Sequence, residues 1–296
     1  MIIECVPNIS EARDADVLNE AEQAVRSVPS CTLMDVQKDR DHNRSVFSFL
    51  GEPEAVLEAA FALAQVCVEN VDLRKQSGVH PRMGAIDVIP FVPIKGASMQ
   101  DCIDLAHGLG NRLWSELRLP VYLYEQAATA PHRKNLADVR RGQFEGLKEK
   151  MQRAEWQPDY GNAAPHASAG AVAVGARKPL IAYNINLTTA DVEIAKKIAK
   201  QIRASNGGLP HVKALGLYLA AKDCAQVSIN MTDYEVTPLY KVMEWVRALA
   251  QGYGTDILES ELIGLAPMRA FADSAAHYLQ LKDADLDRQI LENHIF

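Results

Sequence analysis

The two ends of this 296-residue chain repeat one pattern of apolar spacing, and that repetition narrows the fold more than any single motif. Residues 2–6 have strand character. Ser10 can cap a helix on which Val17, Leu18, Ala21, Ala24 and Val25 recur at helical spacing. Residues 31–36 and 44–50 read as strands joined by a polar turn. Pro53 opens a helix striped with Leu57, Ala60, Phe61, Ala64 and Val68, and residues 85–92 form a further strand. The order is β-α-β-β-α-β.

The last third repeats it. A strand at 180–187 is followed by a helix from Thr189 carrying Val192, Ala195, Ile198, Ala199 and Ile202, which Gly207 and Gly208 end. Strands at 212–219 and 225–232 follow, then a helix capped by Thr237 with Pro238 at its first position, then a strand at 261–265. Each half fits the split β-α-β arrangement, an α/β (α+β) ferredoxin-like fold in which two helices cover one face of a four-stranded sheet. On the other face the strand at 225–232 places Gln226, Ser228, Asn230 and Thr232, and the strand at 180–187 places Asn184 and Asn186. Uncharged amides and hydroxyls suit the lining of a polar heteroaromatic ligand as well as a solvent face, and both readings stand.

The segment between, 98–178, carries a helix at 102–117, a strand at 121–124, a polar helix from Asn135 and a small-residue loop at 156–171. Composition excludes other classes. With 48% hydrophobic and 23% charged residues the chain is an ordinary globular protein, not a disordered or fibrous one. A net charge of −7 without like-sign blocks argues against a nucleic-acid surface. Arg133-Lys134, Arg140-Arg141 and the cluster of Lys196, Lys197 and Lys200 read as solvated helix faces. Five scattered cysteines, Cys5, Cys31, Cys67, Cys102 and Cys224, read as buried thiols of a reducing compartment. No apolar run reaches membrane-helix length and no charged leader opens the chain, so a cytoplasmic protein away from membranes is expected.

No phosphate-binding P-loop, Cys-x-x-Cys pair, His-Glu-x-x-His helix or Gly-x-Ser-x-Gly elbow occurs, so no metal site is expected. The densest chemical signal is Gly78-Val79-His80-Pro81-Arg82-Met83-Gly84-Ala85-Ile86-Asp87, an imidazole between glycines just before a strand. Such a histidine serves either as a hydrogen-bonded turn residue or as a proton carrier, since its ordinary pKa of about 6.5 lets it give and take protons at neutral pH. Arg82 could hold a carboxylate bidentately and Asp87 could fix the loop. His42 is the next candidate. His132, His166 and His211, beside prolines, suit structural or exposed roles.

Taken together these stretches resemble the formiminotransferase domain family. The resemblance runs through Glu4-Cys5-Val6-Pro7-Asn8-Ile9-Ser10-Glu11, Asp41-His42-Asn43-Arg44-Ser45-Val46, His80-Pro81-Arg82-Met83-Gly84-Ala85-Ile86-Asp87-Val88 and Pro120-Val121-Tyr122-Leu123-Tyr124. It continues through Gly175-Ala176-Arg177-Lys178, Asn184-Ile185-Asn186-Leu187, Gln226-Val227-Ser228-Ile229-Asn230 and Ser260-Glu261-Leu262-Ile263-Gly264-Leu265.

The resemblance implies an N-terminal subdomain at 1–179 and a C-terminal one at 180–296, their sheets facing each other across a tunnel for tetrahydrofolate, in a homodimer without a metal. It implies transfer of the formimino group of N-formimino-L-glutamate to tetrahydrofolate, with His80 as acid–base catalyst. The folate loop would be Gly161, Asn162, Ala163, Ala164, Pro165, His166, Ala167, Ser168, Ala169 and Gly170, aided by Asn184, Asn186 and Asn230. Glu4, Asn8, Asp41, Asn43, Arg44 and Arg82 would face the amino-acid substrate. Two positions depart from the family: Val79 stands where an acidic residue commonly precedes the histidine, and Ala169 where relatives can carry Trp. With Val79, electrostatic support for the imidazole is expected from Asp39, Asp41 or Glu4. Two other readings share these features, a different one-carbon reaction of folate and folate binding without turnover.

Overall fold

Pro7 has no N–H to give a ladder, and the first strand accordingly runs in two pieces, β1 (Ile2–Cys5) and β2 (Asn8–Ile9), both lying between the same neighbours. The structure, a computed structural model, describes residues 1–78, 81–282 and 285–294. It divides into two units, Met1–Lys178 and Pro179–Phe296.

In the first unit α1 (Ala15–Arg26), β3 (Cys31–Asp39), β4 (Arg44–Gly51), α2 (Pro53–Asn70) and β5 (Ile86–Lys95) complete the predicted order. The helix start differs from expectation. Asp14, not Ser10, caps α1, its carboxylate accepting the N–H groups of Asp16 and Val17, while the Ser10 hydroxyl donates to the Gly84 carbonyl at 2.7 Å. Apolar alternation on β4 sends Phe47 and Phe49 to the helix side, where they are fully buried with Ile3, Cys5, Leu63 and Phe91. Truncating either ring to Ala would cost about 3–5 kcal/mol.

The chain continues through α3 (Met99–Leu117), β6 (Val121–Glu125), α4 (Leu136–Arg140), α5 (Gln143–Lys150) and β7 (Val172–Ala176). Sequence periodicity missed β7, whose Val-Ala-Val-Gly-Ala is short and follows a loop of small residues. It lies parallel between β5 and β6, so the sheet runs β3-β4-β1/β2-β5-β7-β6 and outgrows the expected four strands. The segment holding α4 and α5 packs Val139, Leu147 and Met151 on Tyr122, Tyr124 and Val88. The face away from α1 and α2, expected to be open, is therefore covered over β5, β6 and β7. Two of the presumed solvated cations belong to this cover. Arg133 is buried against Asp159 at 2.6 Å and half-buried Arg140 pairs with Asp87, whereas Arg141 is 80% exposed.

The second unit holds β8 (Ile181–Leu187), α6 (Val192–Ile202), β9 (Val212–Leu219), β10 (Cys224–Met231), α7 (Leu239–Gly252) and β11 (Ile257–Ile263). Its sheet order, β11-β8-β10-β9, is that of β5-β1/β2-β4-β3 in the first unit, so one ferredoxin-like topology occurs twice. Asp191 caps α6, and Thr237 donates to the Pro210 carbonyl at 2.6 Å instead of capping α7. The sequence did not suggest α8 (Met268–Tyr278), which packs Ala270 into this core. The five cysteines are free, and all but Cys31 are buried. No helix among the described residues is long and apolar enough to cross a membrane.

Candidate functional site

Val79 and His80 lie outside the described residues. The residues on either side are anchored. A side chain on Gly78 would stand 2.3 Å from the His42 carbonyl oxygen, Gln76 donates to the Asn43 carbonyl, and Arg82 is buried. Arg82 donates to both oxygens of Glu145 at 3.1 and 2.9 Å and to Gln76. Its guanidinium is thus already engaged within the fold.

The turn leading into β5 is joined to the end of the 161–170 loop. The Ala85 N–H donates to the Ala169 carbonyl and the Ala171 N–H to the Met83 carbonyl, and Gly84 bridges Gly170. Glycine is required at both places. A Cβ on Gly84 would lie 2.2 Å from the Ala171 carbonyl oxygen, and one on Gly170, whose φ is +73°, 2.1 Å from that of Met83. Within the loop, Ala164 donates to the Asn162 carbonyl, Gln152 to that of Ala163 and Leu73 to that of Ser168. His166 pairs its backbone with Gly170 and accepts the Ala169 N–H on Nδ1 at 3.1 Å. That tautomer is neutral, and burial lowers the pKa of His166. Asn162, Ala164 and Ala167 are exposed, with Gly161 and Pro165 partly so. Ala169 is fully buried in the core.

Asp87 sits on a β-bulge. Asn8 pairs with Val88 and Ile9 with Ile86, leaving Asp87 as the extra residue, turned out of the ladder. One carboxylate oxygen accepts the Met83 N–H at 2.8 Å, as the sequence suggested a loop-fixing residue would. The other lies 2.5 Å from Arg140 Nη2 without hydrogen-bond alignment. Arg44 completes this group. Its pKa is pushed down to about 10, chiefly by burial and next by Arg140, with Asp87 and Asp39 opposing. Arg44 Nε, Arg140 Nε and Arg140 Nη2 are buried without hydrogen-bond partners.

Alternation places Glu4 and Asn8 on this same side, since their neighbours Ile3, Cys5 and Ile9 belong to the helix-covered core. Burial raises the Glu4 pKa, opposed by Arg177. Asn8 is buried, its amide donating to Val6 while its oxygen has no partner. Asn43 has a structural task, accepting the Ala12 N–H at 2.9 Å from a left-handed backbone. Asp41 is exposed, and Asp39 binds the His42 ring at 2.7 Å.

In the second unit Asn186 is fully buried and engaged. It donates to Glu259 and Glu261 and accepts from Gln226 at 2.8 Å, and Lys222 pairs with both glutamates. The face expected to be uncharged therefore carries an ionic network at its β11 edge. Asn184 accepts the Ile229 N–H, and Asn230 is exposed.

Sequence reasoning missed Arg140 as a site residue, because α4 is too short to show a face and neighbouring Arg141 made the pair resemble a charged surface. Asp87 was legible from its motif, but its orientation came from the bulge.

Residues 2–177 match the family model described as formiminotransferase domain, N-terminal subdomain, and residues 182–293 match the formiminotransferase domain. A glutamate formimidoyltransferase from Streptococcus pyogenes serotype M1 is 47% identical over 99% of this chain and 98% of its own length. One from Thermoplasma acidophilum is 46% identical over 98% and 96%. The formimidoyltransferase-cyclodeaminase of Rattus norvegicus is 44% identical over 94% of this chain and 52% of its own length. With both of its units matched and nearly its whole length aligned, the chain belongs to the formiminotransferase domain family.

Proposed function

We propose that this protein transfers the formimino group of N-formimino-L-glutamate to N5 of tetrahydrofolate, giving 5-formiminotetrahydrofolate and glutamate. The observation that carries this reading is the near-full-length identity to two glutamate formimidoyltransferases. The two guanidiniums of Arg44 and Arg140 near Asp87 support it, because the donor substrate is a dicarboxylate.

In this reading N5 attacks the formimino carbon, His80 moves the proton between N5 and the departing amino-acid nitrogen, and the tetrahedral intermediate collapses as the carbon–nitrogen bond to glutamate breaks. Holding both reactants together supplies much of the barrier reduction. Arg44 takes a substrate carboxylate, a role for which it is better placed than Arg82, which is committed to Glu145. Glu4, whose pKa burial raises against the opposing charge of Arg177, and Asn8 are polar neighbours for the amino acid. The 161–170 loop takes the folate, with Asn184 and Asn230 as further polar contacts, whereas Asn186 acts through the network that holds the sheet. Residues 1–179 and 180–296 are its two subdomains, and it works as a cytoplasmic homodimer.

The test is turnover of tetrahydrofolate with N-formiminoglutamate, followed by the ultraviolet change of the folate, with His80→Ala alongside. Turnover abolished by the substitution supports reaction and catalyst. Unchanged turnover in the variant refutes the role of His80, and absence of turnover in the unsubstituted protein refutes the reaction.

A further inference from the structure

We propose that Arg140 and Arg44 are two arms of one carboxylate clamp, with Asp87 as the fixed pivot between them. The proposal deepens the reading above and rests on it for the identity of the ligands.

Strand register and unpartnered buried nitrogens motivate it. Ile9 pairs with Ser45 on one side and with Ile86 on the other, so Arg44 and Asp87 leave neighbouring positions across β2, and the Asp87 carboxylate, 2% exposed, meets Arg140, 16% exposed, at 2.5 Å. One oxygen of that carboxylate is already taken by the Met83 N–H. Asp39 also stands within electrostatic range of Arg44, but it is held by the ring and backbone of His42. The group keeps two buried guanidinium nitrogens, Arg44 Nε and Arg140 Nε, without hydrogen-bond partners, and a third, Arg140 Nη2, with only the misaligned Asp87 contact, an arrangement that is costly unless something completes it. A planar anion accepting from both forks would do so, and a carboxylate has that geometry.

Arg140 is also held in position. The Lys150 ammonium donates to the carbonyls of Asp138, Val139 and Arg141 at 2.8, 2.6 and 3.2 Å, fixing the last turn of α4 on both sides of Arg140. Arg44 leaves the end of β4 beside Asn43, whose side chain is tied to Ala12. Both arms thus start from rigid backbone.

The carboxylate has two possible sources, the amino-acid donor and the glutamate tail of the folate. Equilibrium binding by calorimetry separates them, using N-formimino-L-glutamate, L-glutamate, tetrahydrofolate and tetrahydropteroate, which lacks the tail. The ligands are titrated into the full-length protein and into Arg140→Gln and Arg44→Gln.

Each variant is expected to weaken its carboxylate ligand by roughly ten- to a hundredfold, the effect of losing one charge-assisted arm. Tetrahydropteroate binding should be unchanged, and Arg140→Lys should recover part of the loss. Weakened N-formiminoglutamate and L-glutamate identify the donor as the source. Weakened tetrahydrofolate alone identifies the tail. Folded Arg140→Gln and Arg44→Gln proteins, with the thermal midpoint of the unsubstituted protein, that bind all four ligands normally would overturn the clamp. Because binding is read without turnover, a protein that loses carboxylate affinity in these variants yet transfers nothing refutes the catalytic reading and leaves the clamp standing.

Discussion

Replacing Gly84 by Ala tests whether the turn before β5 and the 161–170 loop act as one unit. The added methyl would stand 2.2 Å from the Ala171 carbonyl oxygen and 2.4 Å from that of Ile86, so one backbone must retreat by about 1 Å. Four hydrogen bonds lie in the path of that movement. They are Ala171 to Met83 at 3.1 Å, Ala85 to Ala169 at 2.9 Å, the Ser10 hydroxyl to Gly84 at 2.7 Å and the Ser10 N–H to Ala85 at 2.8 Å. Losing two of them at about 0.5–1.5 kcal/mol each, with about 1–3 kcal/mol of overpacking strain, gives roughly 2–6 kcal/mol. For a unit of this size that corresponds to a fall of about 5–20 °C in melting temperature. Thermal unfolding by circular dichroism measures this, and formimino transfer measured well below the midpoint reads the site. Activity should fall even where the protein remains folded, because the turn follows His80 directly and the loop is the proposed folate contact. A Gly84→Ala protein within about 0.5 kcal/mol of the original and with unchanged kcat/KM would refute the coupling.

Asp159→Asn should cost about 3–5 kcal/mol in urea unfolding, since it leaves buried Arg133 without its counter-charge, and a loss under 1 kcal/mol would contradict the packing of the 126–160 segment. His166 has a folded pKa below its ordinary 6.5, so its neutral form is the stabilised one. Stability from this group is intact above pH 6.5 and is lost as pH falls through the folded value, when the ring can no longer accept the Ala169 N–H. Folate affinity should weaken over that acid range, and His166→Asn, which keeps an acceptor, should flatten the profile. Asp39 behaves as a depressed carboxylate. Burial would raise its pKa, but hydrogen bonds from His42 and Asp41 outweigh this, so its contribution is present above pH 3.8 and lost on further acidification. Asp39→Asn should reduce the slope of stability against pH below about 4, and an unaltered slope would disprove this. Asn186→Leu should lower stability by about 1–3 kcal/mol by removing one acceptor of the Gln226 amide and the donor to Glu259 and Glu261, while Asn230→Ala leaves stability within about 0.5 kcal/mol.

The sequence alone determined the repeated β-α-β-β-α-β order, because apolar alternation on strands such as β10 and helical stripes such as that of α2 are local periodicities set by which face meets the core. It also determined the family, through motifs distributed along nearly the whole chain. Tertiary structure decided what periodicity does not encode. The five residues of β7 become a strand because two parallel neighbours pair with them, and Ser10 serves Gly84 instead of a helix end because a chain segment 74 residues away supplies a better partner. Arg133 is buried and Arg140 half-buried because buried carboxylates meet them, although their neighbours Lys134 and Arg141 are exposed. The proposed site follows the same division. Its residue types were written in local motifs, but the single-residue bulge that turns Asp87 toward Arg140 exists only through the register of β2 against β5, a long-range pairing that no local spacing records.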